Sequence, residues 1–200
     1  MKAFIFAFLA LLCAVASAPA QYAAFKSADG ILLISQHPDR YFSVDLPGAK
    51  IIPLGQKDLS HPAFIICDRP NDQAKQGRFV QVMPVPLAEF KGRPSEGDEA
   101  LLRKQAGYEI NYWHPRDSDV RLTNLENGRT ALVWSLTLAK KGRAGSRQTF
   151  LSCREKNYIL VVSSNVPNDL KIEPIQAYLR RVAASFRSAA RPISTPAPTK

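Results

Sequence analysis

The chain has 200 residues, 46% of them hydrophobic and 22% charged, which is the size of one domain and long enough to bury a core without a metal. Its formal net charge of +10 draws it toward anionic surfaces such as lipid headgroups, envelope polymers or nucleic acid, without specifying a partner. Only one long apolar segment is present, at the N-terminus, which excludes a polytopic membrane protein.

That segment reads as an export signal. Lys2 precedes the uncharged run Ala3 to Val15, and Ala18-Pro19-Ala20 supplies small residues at a cleavage site before Gln21. The run is too short to span a bilayer comfortably, so residues 1–20 are expected to be removed and the mature chain to be soluble, secreted or periplasmic in a bacterium. Lys2 is the only charge lost, taking the balance from +10 to +9. Of three cysteines Cys13 leaves with the leader, so Cys67 and Cys153 remain as an even pair in an oxidising compartment. A single disulfide is the expectation, worth on the order of 4–5 kcal/mol on the chain-entropy model.

Residues 21–30 are small and polar and read as a flexible lead-in. Ile31 to Ser35 and Tyr41 to Leu46 are strand candidates around the turn His37-Pro38-Asp39, and Phe42, Val44 and Leu46 alternate with Ser43 and Asp45. Ala63 to Cys67 and Arg78 to Met83 follow as strands joined by the polar loop Asp68 to Gly77. Pro84 and Pro86 are expected to close the second of them, because each lacks a backbone donor. A helix should start with Ser95 as cap, dock through Leu101 and Leu102, and stop at Gly107.

Val120 to Leu125, the hairpin signal Asn127-Gly128, Arg129 to Ala139, Gln148 to Arg154 and Tyr158 to Ser163 predict a four-stranded antiparallel meander. Asn168 or Asp169 begins a terminal helix with Ile175, Tyr178, Leu179, Val182 and Phe186 on one face. The domain is therefore expected over residues 31–188, with 189–200 a disordered tail.

This order resembles the PsbP-like family, which includes the DcrB-like envelope proteins. The likeness is carried by Tyr41-Phe42-Ser43-Val44-Asp45-Leu46-Pro47, by Asn127-Gly128 before the Trp134 strand, and by Ala183-Ala184-Ser185-Phe186. It implies an α+β fold, an α/β/α-type sandwich around a central antiparallel β-sheet with the C-terminal helix packed on it. Members of the family are mostly accessory or binding proteins without a shared catalytic site, so the resemblance brings no active-site residues with it.

No phosphate-binding glycine loop, HExxH helix, GxSxG elbow or CxxC pair is present, and no cofactor is expected. His37, His61 and His114 each precede a proline and read as turn residues whose spacing matches no metal-ligand motif. Asp117 and Asp119 stand close enough in sequence to orient His114 as a base, which leaves a small secreted hydrolase as an alternative; the Asp-Ser-Asp sequence otherwise reads as a turn.

Tyr108, Tyr112, Trp113, His114 and Arg116 concentrate amphipathic aromatic and cationic groups in an expected loop, the composition of a contact surface. Arg180, Arg181, Arg187 and Arg191 form a second, basic candidate surface in and after the last helix. Stacking aromatics do not accompany them, so specific nucleic-acid binding is not expected. These features point to a non-enzymatic accessory or binding protein acting on an anionic envelope surface or a protein partner, with a secreted inhibitor as a further alternative.

Overall fold

The computed structural model describes residues 22–37, 40–50, 63–66, 78–140, 143–166 and 170–194. The leader, Cys67, His61, the Asp68–Gly77 loop, Asn168 and Asp169 lie outside them, as do residues 195–200 of the tail.

Alternation in the first half builds a small antiparallel sheet. β2 (Gly30–His37) and β3 (Arg40–Pro47) pair with Ile31 opposite Leu46, Leu33 opposite Val44 and Ser35 opposite Phe42, so one face presents Ile31, Leu33, Phe42, Val44 and Leu46 to the core. β1 (Tyr22–Lys26) adds to β2 with Tyr22 opposite Ser35 and is buried at that tyrosine, so residues 22–26 of the expected lead-in are in fact an edge strand. Five residues with little pattern of their own become a strand because β2 offers them a ready ladder. At Gly48 (φ 69°) the left-handed backbone turns the chain out of this sheet and into the second one.

The larger sheet has the order β4-β5-β6-β10-β9-β8-β7, all neighbours antiparallel. Its strands are β4 (Ala49–Lys50), β5 (Ala63–Ile66), β6 (Arg78–Pro86), β7 (Asp117–Asn124), β8 (Thr130–Lys140), β9 (Arg143–Glu155) and β10 (Tyr158–Val166). The expected meander is β7 to β10, turned first at Gly128 (φ 77°) and last at Lys156 (φ 39°). β6 does not stop at Pro84: it stays paired with β10 through Pro84 and Pro86, opposite Leu160 and Tyr158. The described part of β5 pairs with β6 only as far as Gln81, and the Pro84 carbonyl accepts from Arg40 Nη1 at 3.0 Å.

Two helices and the small sheet sandwich the large one. α1 (Asp98–Trp113) packs Leu101, Leu102 and Ala106 onto Leu132, Trp134, Leu136, Phe150, Ile159 and Val161, beside a 3₁₀ turn at Leu87–Phe90. The alternate residues Val133, Leu151, Leu160 and Val162 face the other way. There they meet both the small sheet and α2 (Ile172–Ser185), which buries Tyr178, Leu179, Val182 and Ala183. The class is α+β, as expected, but one outer layer is shared between a helix and a second sheet. β11 (Arg187–Ser188) returns from α2 to pair with β3. Residues 189–194 of the expected tail lie against the small sheet: Ala189 donates its N–H to the Tyr41 carbonyl at 2.9 Å, and Gln36 Nε2 donates to the Ile193 carbonyl at 2.7 Å.

The bridge expected between Cys67 and Cys153 is not formed. Cys153 is a free thiol, fully buried on β9. Through the ladders it is level with Leu160 and Pro84, whereas Ile66, the last described residue before Cys67, is level with Arg78 on the far side of β6. Six residues along and three strands across put Ile66 roughly 24 Å from Cys153; Cys67 itself lies outside the described residues. Burial pushes the Cys153 thiol up to about 11, against the opposing pull of Arg129. At pH 8 the native protein is therefore expected to leave Cys153 unmodified by iodoacetamide. Unfolding in denaturant without reductant should make it alkylate fully, as read by peptide mass.

Candidate functional site

The recognition segment expected as a loop is the last two turns of α1. Gly107 does not end the helix, because Ala106 and Ile110 on either side of it pack on the sheet and hold the backbone helical. The stop comes at Pro115. The residue before a proline is driven out of the α region, and His114 takes a left-handed conformation (φ 44°, ψ 57°) with its N–H still donating to the Ile110 carbonyl at 3.1 Å. The start also differs from expectation. The N-cap is Gly97 with no side-chain cap, and Arg154 of β9 ties the helix entry instead, donating to the Glu96 and Pro94 carbonyls and to Asp98 Oδ1 at 2.6–2.9 Å.

Tyr108, Tyr112 and Trp113 stand 51%, 69% and 48% exposed on this anchored end. Tyr112 and Trp113 meet edge to face, with ring centroids 5.4 Å apart and an interplanar angle of 89°. Trp113 Nε1 donates to Glu109 Oε2 at 3.3 Å, which fixes the indole by its polar edge and leaves its rings presented. Burial raises the Glu109 carboxyl above its ordinary value; the indole hydrogen bond pulls it down and the neighbouring Glu89 adds to the rise. Arg116 is exposed, and its N–H donates to the Thr137 carbonyl at 2.9 Å, which pins the exit from the helix to the sheet.

His114 and the aspartates do not come together. Asp117 and Asp119 belong to strand β7 and not to a turn. Val120, the residue after Asp119, packs on the α1 side, so both odd-numbered aspartates project from the opposite face. Asp119 pairs with Arg121 at 2.9 Å, and among the described residues no hydrogen bond or ion pair joins His114 to either carboxylate. His37 lies at the end of β2, with Nε2 at 3.4 Å from Arg40 Nη2, in a different layer from His114.

Arg180 and Arg181 lie exposed on the outer face of α2, with the Arg181 guanidinium 5.8 Å from the Tyr178 ring centre. α1 and α2 cover opposite faces of the large sheet, so the aromatic and the basic candidate surfaces are two sites and not one.

A third feature had no mark in the sequence. Where the open end of the small sheet meets the β9–β10 turn there is a cleft of about 180 Å³, lined by Arg40, Glu155, Lys156, Tyr158 and Ser188 among others. Behind it Arg129 forms an ion pair with the buried Glu155, donates to the Arg154 carbonyl at 2.9 Å, and stands 6.0 Å from the Phe186 ring centre. The Tyr158 hydroxyl is buried without a hydrogen-bond partner among the described residues. Burial drives its pKa far upward, with Cys153 and Tyr22 adding to the rise and Arg40 and Arg129 opposing it, so the phenol remains a donor at any physiological pH.

The fold and these surfaces define an α+β sheet protein with exposed aromatic and basic surfaces and, among the described residues, no cluster of metal-ligating side chains. No family model matches the chain, and no curated protein matches it significantly. Among solved structures it is similar to a Pseudomonas aeruginosa protein of unknown function, at 14% identity and a TM-score of 0.41, over 90% of this chain and 99% of the other. It is also similar to the cyanobacterial PsbP protein of Synechocystis, at 11% identity and a TM-score of 0.39, over 88% of this chain and 96% of that one. Neither likeness carries an argument about activity. No described helix is long and apolar enough to cross a membrane.

Proposed function

We propose that the chain is exported and works as a non-enzymatic binding module, engaging an envelope protein through the aromatic end of α1. The observation that carries this reading is the exposure of Tyr108, Tyr112 and Trp113 on a helix end anchored to the sheet. Large amphipathic rings held in place before binding lose little entropy on contact and dominate interface energetics. His114 and Arg116 supply the polar rim. Export rests on the leader pattern of residues 1–20, and β1 begins at Tyr22, so processing before Gln21 removes no described strand residue. The arginines of α2 supply long-range attraction to an anionic envelope, which salt screens within about 10 Å at 0.1 M.

Immobilised protein should retain its partner from envelope extract, and Tyr112→Ala/Trp113→Ala should reduce that retention by about tenfold or more. Arg180→Gln/Arg181→Gln should weaken retention at low salt only. Wild-type retention by the aromatic double variant, with its folding intact, would remove the proposal.

A further inference from the structure

We infer that the cleft between the open end of the small sheet and the β9–β10 turn is a receptor for a small oxyanion, a carboxylate or a phosphate head group. Its walls come from β3, the turn after β9, and β11, elements that meet only in the folded chain.

The charge balance selects the ligand. Arg40 and Lys156 both line the cleft, and the one carboxylate there, Glu155, is already committed to Arg129. Arg40 is oriented before any ligand arrives: Nη1 donates to the Pro84 carbonyl at 3.0 Å and Nη2 meets His37 Nε2 at 3.4 Å. A guanidinium has five N–H donors in a planar fork, so these two contacts leave donors over for a planar or tetrahedral oxyanion. Lys156 is exposed at the rim, on a turn whose backbone is left-handed (φ 39°). Tyr158 and Ser188, both hydroxyl-bearing, belong to the lining, and the buried phenol has no hydrogen-bond partner among the described residues.

Size sets the scale of the ligand. A cavity of about 180 Å³ lies below the ~300–1,000 Å³ of pockets that enclose drug-sized molecules, so only an anionic head group enters it. The rest of the ligand would remain outside. The cleft is separate from the aromatic end of α1, and the inference stands independently of the proposal made for that surface.

Titration of the ¹⁵N-labelled full chain with sodium phosphate and with sodium acetate, at ionic strength held constant with sodium chloride, tests it. Saturable amide shifts are expected at Lys156, Asn157, Tyr158 and Ser188, and the anion that saturates at lower concentration identifies the head group as phosphate or carboxylate. Lys156→Gln should raise the dissociation constant by about threefold or more and Arg40→Gln by about tenfold. Tyr112→Ala/Trp113→Ala should leave it unchanged. Shifts that never saturate, or an unchanged constant in Lys156→Gln, would overturn the assignment; Lys156 is exposed, so this variant remains decisive even if Arg40→Gln does not fold.

Discussion

Trp134→Ala is expected to destabilise the protein by about 4–5 kcal/mol, at the upper end of the range for deleting a buried aromatic, and to lower Tm by about 10–15 °C for a domain of this size. Trp134 is 1% exposed and lies on β8 directly opposite Phe150 of β9, their rings stacked 3.8 Å apart at 5°. Its indole N–H donates to Ser152 Oγ at 3.0 Å, and Ser152 donates onward to Gln105 Oε1 of α1 at 2.9 Å. One side chain therefore supplies the floor under α1 and the first link of a buried hydrogen-bond chain joining two strands to that helix. Alanine leaves a cavity and removes a partner from Ser152. Trp134→Phe keeps a ring against Phe150 and loses the donor and part of the buried volume, so it should cost less, about 1–2 kcal/mol. Urea midpoints at unchanged slope measure both values; a loss below about 1 kcal/mol in Trp134→Ala would show that α1 does not depend on this floor.

Arg129→Met is expected to cost about 3–5 kcal/mol, the penalty for stranding one member of a buried ion pair. Glu155 is only 9% exposed, and Arg129 is its ion-pair partner among the described contacts. The same guanidinium also binds the Arg154 carbonyl and lies near the Phe186 ring, so its loss loosens the junction of β8, β9 and the end of α2. Most of the penalty is the uncompensated carboxylate and not the attraction itself. Adding Glu155→Gln to Arg129→Met should therefore recover about half the loss or more. Equal stability of the single and double variants would contradict this account.

The difference between these two sites shows what the sequence could reveal. The Trp134 strand was legible because Leu132, Trp134, Leu136 and Leu138 alternate with Val133, Ser135 and Thr137 beyond an Asn-Gly turn, a purely local pattern. α2 was legible for the same reason, by its apolar stripe. The Arg129–Glu155 pair depends on the register between β8 and β9, which shifts at an irregularity between Leu138 and Lys140 that no local motif marks. The cleft needs β3, the β9–β10 turn and β11 together, and the last of these lies more than 140 residues from the first.

Local rules also failed in instructive ways. Gly107 and the Tyr108–Arg116 segment read as a helix stop and a loop, yet the packing of Ala106 and Ile110 outweighs glycine's modest cost, and the helix continues until Pro115 forbids it. Tyr108, Tyr112 and Trp113 are exposed as a group, but on a helix end and not on a loop. An even cysteine count pointed to a disulfide, yet Cys153 is a free thiol buried on β9. Compartment rules describe what thiols do when they can meet; topology decides whether they can.

The central claim is that the aromatic end of α1 is the surface buried by the partner, and Trp113 reports on it directly. The chain has two tryptophans, so in Trp134→Phe the emission comes from Trp113 alone, which is half exposed in the free protein. Adding the envelope partner should shift that emission to shorter wavelength and protect it from acrylamide quenching. A partner that binds with the emission and its quenching unchanged would place the contact elsewhere on the molecule.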